Sequence, residues 1–164
     1  MQKTKIIFIG LFCGYLFMGA QLSSEQESEF CTALKQMIAA SQENFEPIKK
    51  DRKNGVIELY YTSSISLPTS LDTKIILSGE NWYMSCKLQE KTDIKVINKS
   101  FTQISNILKN CLKNWRQTTV SNEKFNSVIF KDISDKECGT QLKLSVSENV
   151  AKVGYYKIML TINP

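Results

Sequence analysis

From Val96 to Trp115 the apolar residues Ile97, Phe101, Ile104, Leu108, Cys111 and Trp115 recur at intervals of 4, 3, 4, 3 and 4. Residues three and four apart lie above one another on an α-helix, so these six form a single stripe. Lys99, Gln103, Asn106, Lys109, Asn110, Lys113 and Asn114 fall on the remaining, solvated surface. Asp93 precedes the run and is placed to cap it, as is Asn98 one turn later. An earlier stretch carries the same period less sharply. There Phe30, Leu34, Met37, Ile38 and Ser41 share a face, with Cys31 at its margin. Ser24 and Glu27 have the spacing of a capping box, and Asn44 and Pro47 end the pattern near residue 43.

Elsewhere the period falls to two. Phe45 to Lys49 predicts a short strand, Lys49 to Lys53 a charged loop, and Asn54-Gly55 a tight turn into a strand over Val56 to Thr62. The loop's basic run reads as a solvated tip, since no aromatic residue interleaves with it as nucleic-acid stacking requires. After a loop containing Leu67-Pro68, Lys74 to Ser78 and Trp82 to Leu88 form a hairpin around Gly79-Glu80-Asn81. In its second arm Trp82, Met84, Cys86 and Leu88 point one way, and Tyr83, Ser85 and Lys87 the other. Beyond the central helix come strands over Ser127 to Ile133, Gln141 to Ser147 and Gly154 to Ile162, with a polar turn holding Cys138. Leu142, Leu144 and Val146 face inward, as do Tyr156, Ile158, Leu160 and Ile162. Such alternation predicts an α+β fold in the order α-β-β-β-α-β-β-β. Its mainly antiparallel sheet has five to six strands, with two helices packed on one face.

The first 20 residues change where this domain is expected to work. Lys3 and Lys5, the apolar run Ile6 to Met18 and the small pair Gly19-Ala20 make a signal peptide. The run is shorter than the roughly 20 residues a membrane span needs, so no stable span is expected after cleavage. Residues 21–164 then form a single domain, secreted or periplasmic, with no repeat and no linker. Lys3 and Lys5 leave with the leader, so 19 of the 21 basic residues face 16 acidic ones, a net of +3. That charge is too small to point to nucleic acid.

Four of the 5 cysteines remain after cleavage: Cys31, Cys86, Cys111 and Cys138. An even number in an exported chain predicts two disulfides. Antiparallel helices on one sheet face bring Cys31 near Cys111, which leaves Cys86 for Cys138. The competing pairing joins Cys86 to Cys111. The absence of histidine removes Ser-His and Cys-His nucleophile pairs and imidazole metal ligands, so no cofactor and no metal is expected.

Phe30-Cys31-x-x-Leu34, Trp82-Tyr83-x-x-Cys86 and Cys111-Leu112-x-x-Trp115, in this element order, resemble a group of small exported bacterial proteins. Their fold is like that of the type III secretion chaperones. The resemblance implies an α+β sandwich and an interaction role, although cytoplasmic chaperones of that kind carry neither signal peptide nor disulfides.

The sheet face away from the helices is the candidate surface. Tyr83, Lys87, Lys143, Tyr155, Lys157 and Met159 project from it, with Tyr60 as an addition. Tyrosines among flexible lysines suit a protein or peptide partner. The expected function is an exported, non-enzymatic binding protein, such as an inhibitor or immunity-type partner of another exported protein. The alternative is a small hydrolase of the cell envelope that uses two carboxylates. Glu58, between Ile57 and Leu59, comes nearest to an apolar setting, but alternation places it on the solvated face.

Overall fold

The computed structural model describes residues 22–55, 58–121, 126–134 and 139–164. The expected leader and Cys138 lie outside the described residues. Two helices, α1 (Ser24–Ser41) and α2 (Ile94–Cys111), each precede four strands. These are β1 (Lys49–Asn54), β2 (Leu59–Ser63), β3 (Asp72–Ser78) and β4 (Asn81–Lys91), then β5 (Trp115–Ser121), β6 (Asn126–Asp132), β7 (Gln141–Glu148) and β8 (Tyr156–Asn163). All eight form one antiparallel sheet in the order β1-β2-β3-β4-β8-β7-β6-β5.

The fold is α+β, as the alternation predicts, but the sheet has eight strands rather than five or six. The additional strands are both edges. The charged run expected as a loop is β1 itself, and β5 begins at Trp115, where the helical stripe was expected to end. Apart from their first residues these two strands are exposed throughout, so neither carries an apolar alternation. Charged and polar edges resist pairing with other sheets, which is the physical role left to such sequences.

The chain thus runs helix then four-stranded meander twice, and the last strands of the two halves, β4 and β8, meet antiparallel at the centre. An antiparallel pair has a local two-fold axis perpendicular to the sheet. The strand order follows that axis outward to both edges. No repeat in the sequence marks it.

Both helices share one core with one sheet face. Phe30, Leu34 and Met37 of α1, and Ile97, Phe101, Ile107 and Leu108 of α2, are buried there. They meet Ile75, Met84, Cys86, Phe130, Leu142, Leu144, Ile158, Leu160 and Ile162 from the strands. Each such side chain contributes about 1.5–3 kcal/mol by leaving water. Asp93 caps α2, its carboxylate accepting from Lys95 N at 2.8 Å. The capping box of α1 uses Ser23 and Gln26 instead of Ser24 and Glu27. Phe45, expected to start a strand, has a left-handed backbone (φ 64°) and leads into a 3-10 turn over Glu46–Ile48.

A disulfide joins Cys31 of α1 to Cys111 at the end of α2, with Cα atoms 5.2 Å apart. This is the expected pairing of the helices. Cys86 lies fully buried on the inner face of β4, with no disulfide partner among the described residues. The expected Cys86–Cys138 bridge falls outside the described residues. Among those residues no helix is long and apolar enough to cross a membrane.

Candidate recognition face

The outer face of the sheet is set by register. Strand alternation sends every second residue of β2, β3, β4, β7 and β8 away from the helices. One outward row runs Tyr60, Ile76, Tyr83 across β2, β3 and β4. The next runs Thr62, Lys74, Ser85, Thr161, Lys143, and a third runs Asp72, Lys87, Met159, Ser145. Ile76 is only 7% exposed although it points away from the core, since Tyr60 and Tyr83 flank it on the neighbouring strands. Lys74 lies with its Nζ 4.8 Å from the Tyr60 ring centroid and 3.0 Å from Asp72.

A shallow trough of about 860 Å³ lies on this face. Lys87, Lys157 and Met159 line it, with Tyr60, Lys74 and Ile76. Of the six residues expected on the candidate surface, three are therefore brought together, and Tyr60 joins them. Tyr83 stands on the same face beside the trough, half-buried. Burial first, and then the Glu58 carboxylate that its hydroxyl meets, raises the Tyr83 pKa above 10.0. Glu58 is exposed, as expected. Lys143 is exposed on β7, on the same face but beyond the trough. Tyr155 precedes β8 rather than lying in it, at the base of the β7–β8 loop, with Lys152 Nζ 5.5 Å from its ring centroid.

That loop is the feature the sequence reading missed. Val150 and Val153 are 93% and 88% exposed at its tip, and Asn149 and Val150 form one wall of the trough. Its backbone is tied down nonetheless. Asn149 N–H donates to Tyr155 O at 2.7 Å, Lys152 N–H to Asn149 O at 2.9 Å, and Tyr155 N–H to Lys152 O at 3.0 Å. Ala151 N–H donates to Asn149 Oδ1, and Gly154 N–H, at a left-handed φ of 80°, donates to Glu148 Oε1. The signal was two isolated valines inside a polar hairpin connection, where turn chemistry calls for neither.

Glu90 anchors this loop from β4. It accepts from the Asn149 side-chain amide and lies 3.8 Å from Lys87 and 3.9 Å from Lys152. The Asn149 hydrogen bond first, then Lys87, Lys152 and Lys157, outweigh burial and hold its carboxyl below the ordinary 4.5. Glu90 also shares a cavity with Glu27 behind the sheet's end. A catalytic general acid needs a raised pKa, and Glu90 is displaced the other way. Among the described residues no group of three or more acidic or cysteine side chains is placed to hold a metal ion.

The chain matches no protein-family model, no curated protein and no solved structure.

Proposed function

We propose that this is an exported, non-enzymatic binding protein that holds another protein or peptide against the outer face of its sheet, as an inhibitor or immunity-type partner. The observation that carries the reading is the β7–β8 loop. Its hydrogen bonds fix the backbone while two valines stand almost wholly in water beside a trough floored by Ile76 and Met159. Exposed apolar groups on a pre-ordered loop favour recognition, because the ordering cost of binding is already met. The leader sequence supports export. So does the Cys31–Cys111 bridge, since disulfides persist in oxidising compartments. The resemblance to exported proteins with a secretion-chaperone-like fold agrees with an interaction role.

The test replaces Val150 and Val153 together by Asp and measures binding to the partner that the unchanged protein captures from the envelope fraction. Loss of central apolar anchors costs about 1–3 kcal/mol, so binding should weaken roughly 5- to 150-fold. Binding within twofold of the unchanged protein would remove the loop from the interface.

A further inference from the structure

The outer face of the sheet divides into two halves by charge. From β2 to β4 its charges are matched. Asp72 holds Lys74, and the Glu58 carboxylate meets the Tyr83 hydroxyl. At the end of β4, Lys87 pairs with Met159 and Gln89 with Ile158, so the strand bulges at Leu88. The extra residue turns Gln89 toward the helices and Glu90 outward, where it serves Lys87, Lys152 and Asn149.

From β8 to β5 the same face carries one cation on each of four adjacent strands: Lys157, Lys143, Lys131 and Arg116. Lys131 lies opposite Gln141, which shares the outward side of β7 with Lys143, and Arg116 lies opposite Lys131. The acids of these strands, Asp132 and Glu148, lie opposite Trp115 and Tyr156, which pack on the core. Among the described residues of these four strands, therefore, no carboxylate joins the cations on the outer face. Nor does any of the four make an ion pair among the described residues. Like charges directly across two strands are destabilising, yet Arg116 faces Lys131, with Lys143 diagonal to Lys131 on the next strand. The helices, by contrast, are balanced: Lys35, Lys95, Lys99 and Lys109 against Glu25, Glu27, Glu29 and the Asp93 cap. Folding disfavours such a gathering of cations, whereas an anionic partner is drawn to it.

Given recognition through the outer face, on which this rests, we propose that the partner is an acidic protein whose aspartates and glutamates meet Lys157, Lys143, Lys131 and Arg116. Apolar groups stand among these cations. Val150 and Val153 project from the β7–β8 loop, Val120 is 52% exposed on the β5 edge, and Met159 lies between. A protein surface offers carboxylates and apolar side chains together, which a phosphate polymer does not. Ser127, Ser145 and Thr161 separate the cations with short hydroxyl side chains. Arg116, Lys131 and Lys143 are exposed and stay in water until the partner arrives. Charges so placed act chiefly on the rate of association and on the choice of partner.

The probe is a random peptide library displayed on phage and selected on the purified, immobilised protein. Recovered peptides should be enriched in Asp and Glu. On the variant carrying Lys131→Glu, Lys143→Glu and Lys157→Glu the preference should turn to Lys and Arg. Its unfolding midpoint should hold or rise, since Arg116 then faces an opposite charge. Lys95→Glu, Lys99→Glu and Lys109→Glu together make the same change of net charge on α2 and should leave the preference acidic. A recovered acidic peptide should associate about tenfold more slowly at physiological salt than at low salt. Peptides without acid enrichment, or an acidic preference that survives the outer-face reversals but not those on α2, would overturn the proposal. Polyphosphate binding more tightly than the peptide would also overturn it and assign the face to a polyanion. Peptides that lack acids yet are lost on the Val150 and Val153 replacements would remove only the acidic partner and leave recognition by this face standing. Peptides indifferent to both outer-face variants would remove that recognition as well.

Discussion

Replacing Cys31 and Cys111 together by Ser should cost a large share of this domain's stability. The bridge spans 80 residues, and on the chain-entropy account it removes about 15 cal/mol/K from the unfolded ensemble, or about 4.5 kcal/mol at 25 °C. Both cysteines are half-buried, so the serine hydroxyls keep access to water and add little further cost. Domains of this size are stable by about 5–15 kcal/mol in total, so the loss is large against what remains. Urea unfolding of the two proteins without reductant measures it. The midpoint should fall by an amount equivalent to about 4 kcal/mol. The slope should rise or hold, since an uncrosslinked chain exposes more surface when it unfolds. A loss below about 1 kcal/mol would refute the reasoning. So would a non-reducing peptide map that joined Cys86 to Cys111.

Three further outcomes follow from buried or strained groups. Burial, partly offset by a hydrogen bond from Thr73 and reinforced by Asp72, pushes the Cys86 thiol from 9.0 up to about 12. Iodoacetamide at pH 8 should therefore leave Cys86 unmodified in the folded protein and label it after unfolding; labelling of the folded form would contradict this. Because the folded state holds that proton more tightly, stability is intact below pH 9 and falls as pH rises from 9 toward 12. The slope approaches 1.4 kcal/mol per pH unit, and Tyr83 adds in the same direction above pH 10. Thr69→Gly should raise stability by about 1 kcal/mol, the relief of a strained φ less the added freedom of glycine in the unfolded chain. Thr69→Ala keeps the strain and should bring no gain, and a loss of stability in the glycine variant would show that Thr69 is held by contacts rather than strained.

What the sequence revealed follows the helix layer. The covered strands β4, β7 and β8 alternate because one face of each is buried, and α2 was legible down to its Asp93 cap because its stripe is so one-sided. Beyond the helices that pressure disappears, so β1 and β5 read as loop and as helix end. Trp115 extended the helical stripe only because it also packs on the core, three residues past the C-cap at Leu112. The capping box moved by one residue because Ser23-Gln26 and Ser24-Glu27 both satisfy the same spacing. The outward placement of Tyr83, Lys87, Lys157 and Met159 came directly from alternation. The bulge at Leu88-Gln89 did not, since no glycine marks it, and with it went the inward turn of Gln89 and the outward turn of Glu90. The valine-tipped loop was hidden because its ordering rests on Glu90 and Glu148, contacts made across the sheet end and the hairpin.

The central claim, recognition through the outer face, is tested most directly by site-specific photocrosslinking in the cell that makes the protein. A photoreactive phenylalanine analogue is placed in turn at Val150 and Lys143 on the outer side, and at Lys99 and Lys109 on the exposed side of α2. The account predicts one adduct of the same mass from Val150 and Lys143, and none from either helix position. An adduct formed from Lys99 or Lys109 and absent at Val150 would contradict it.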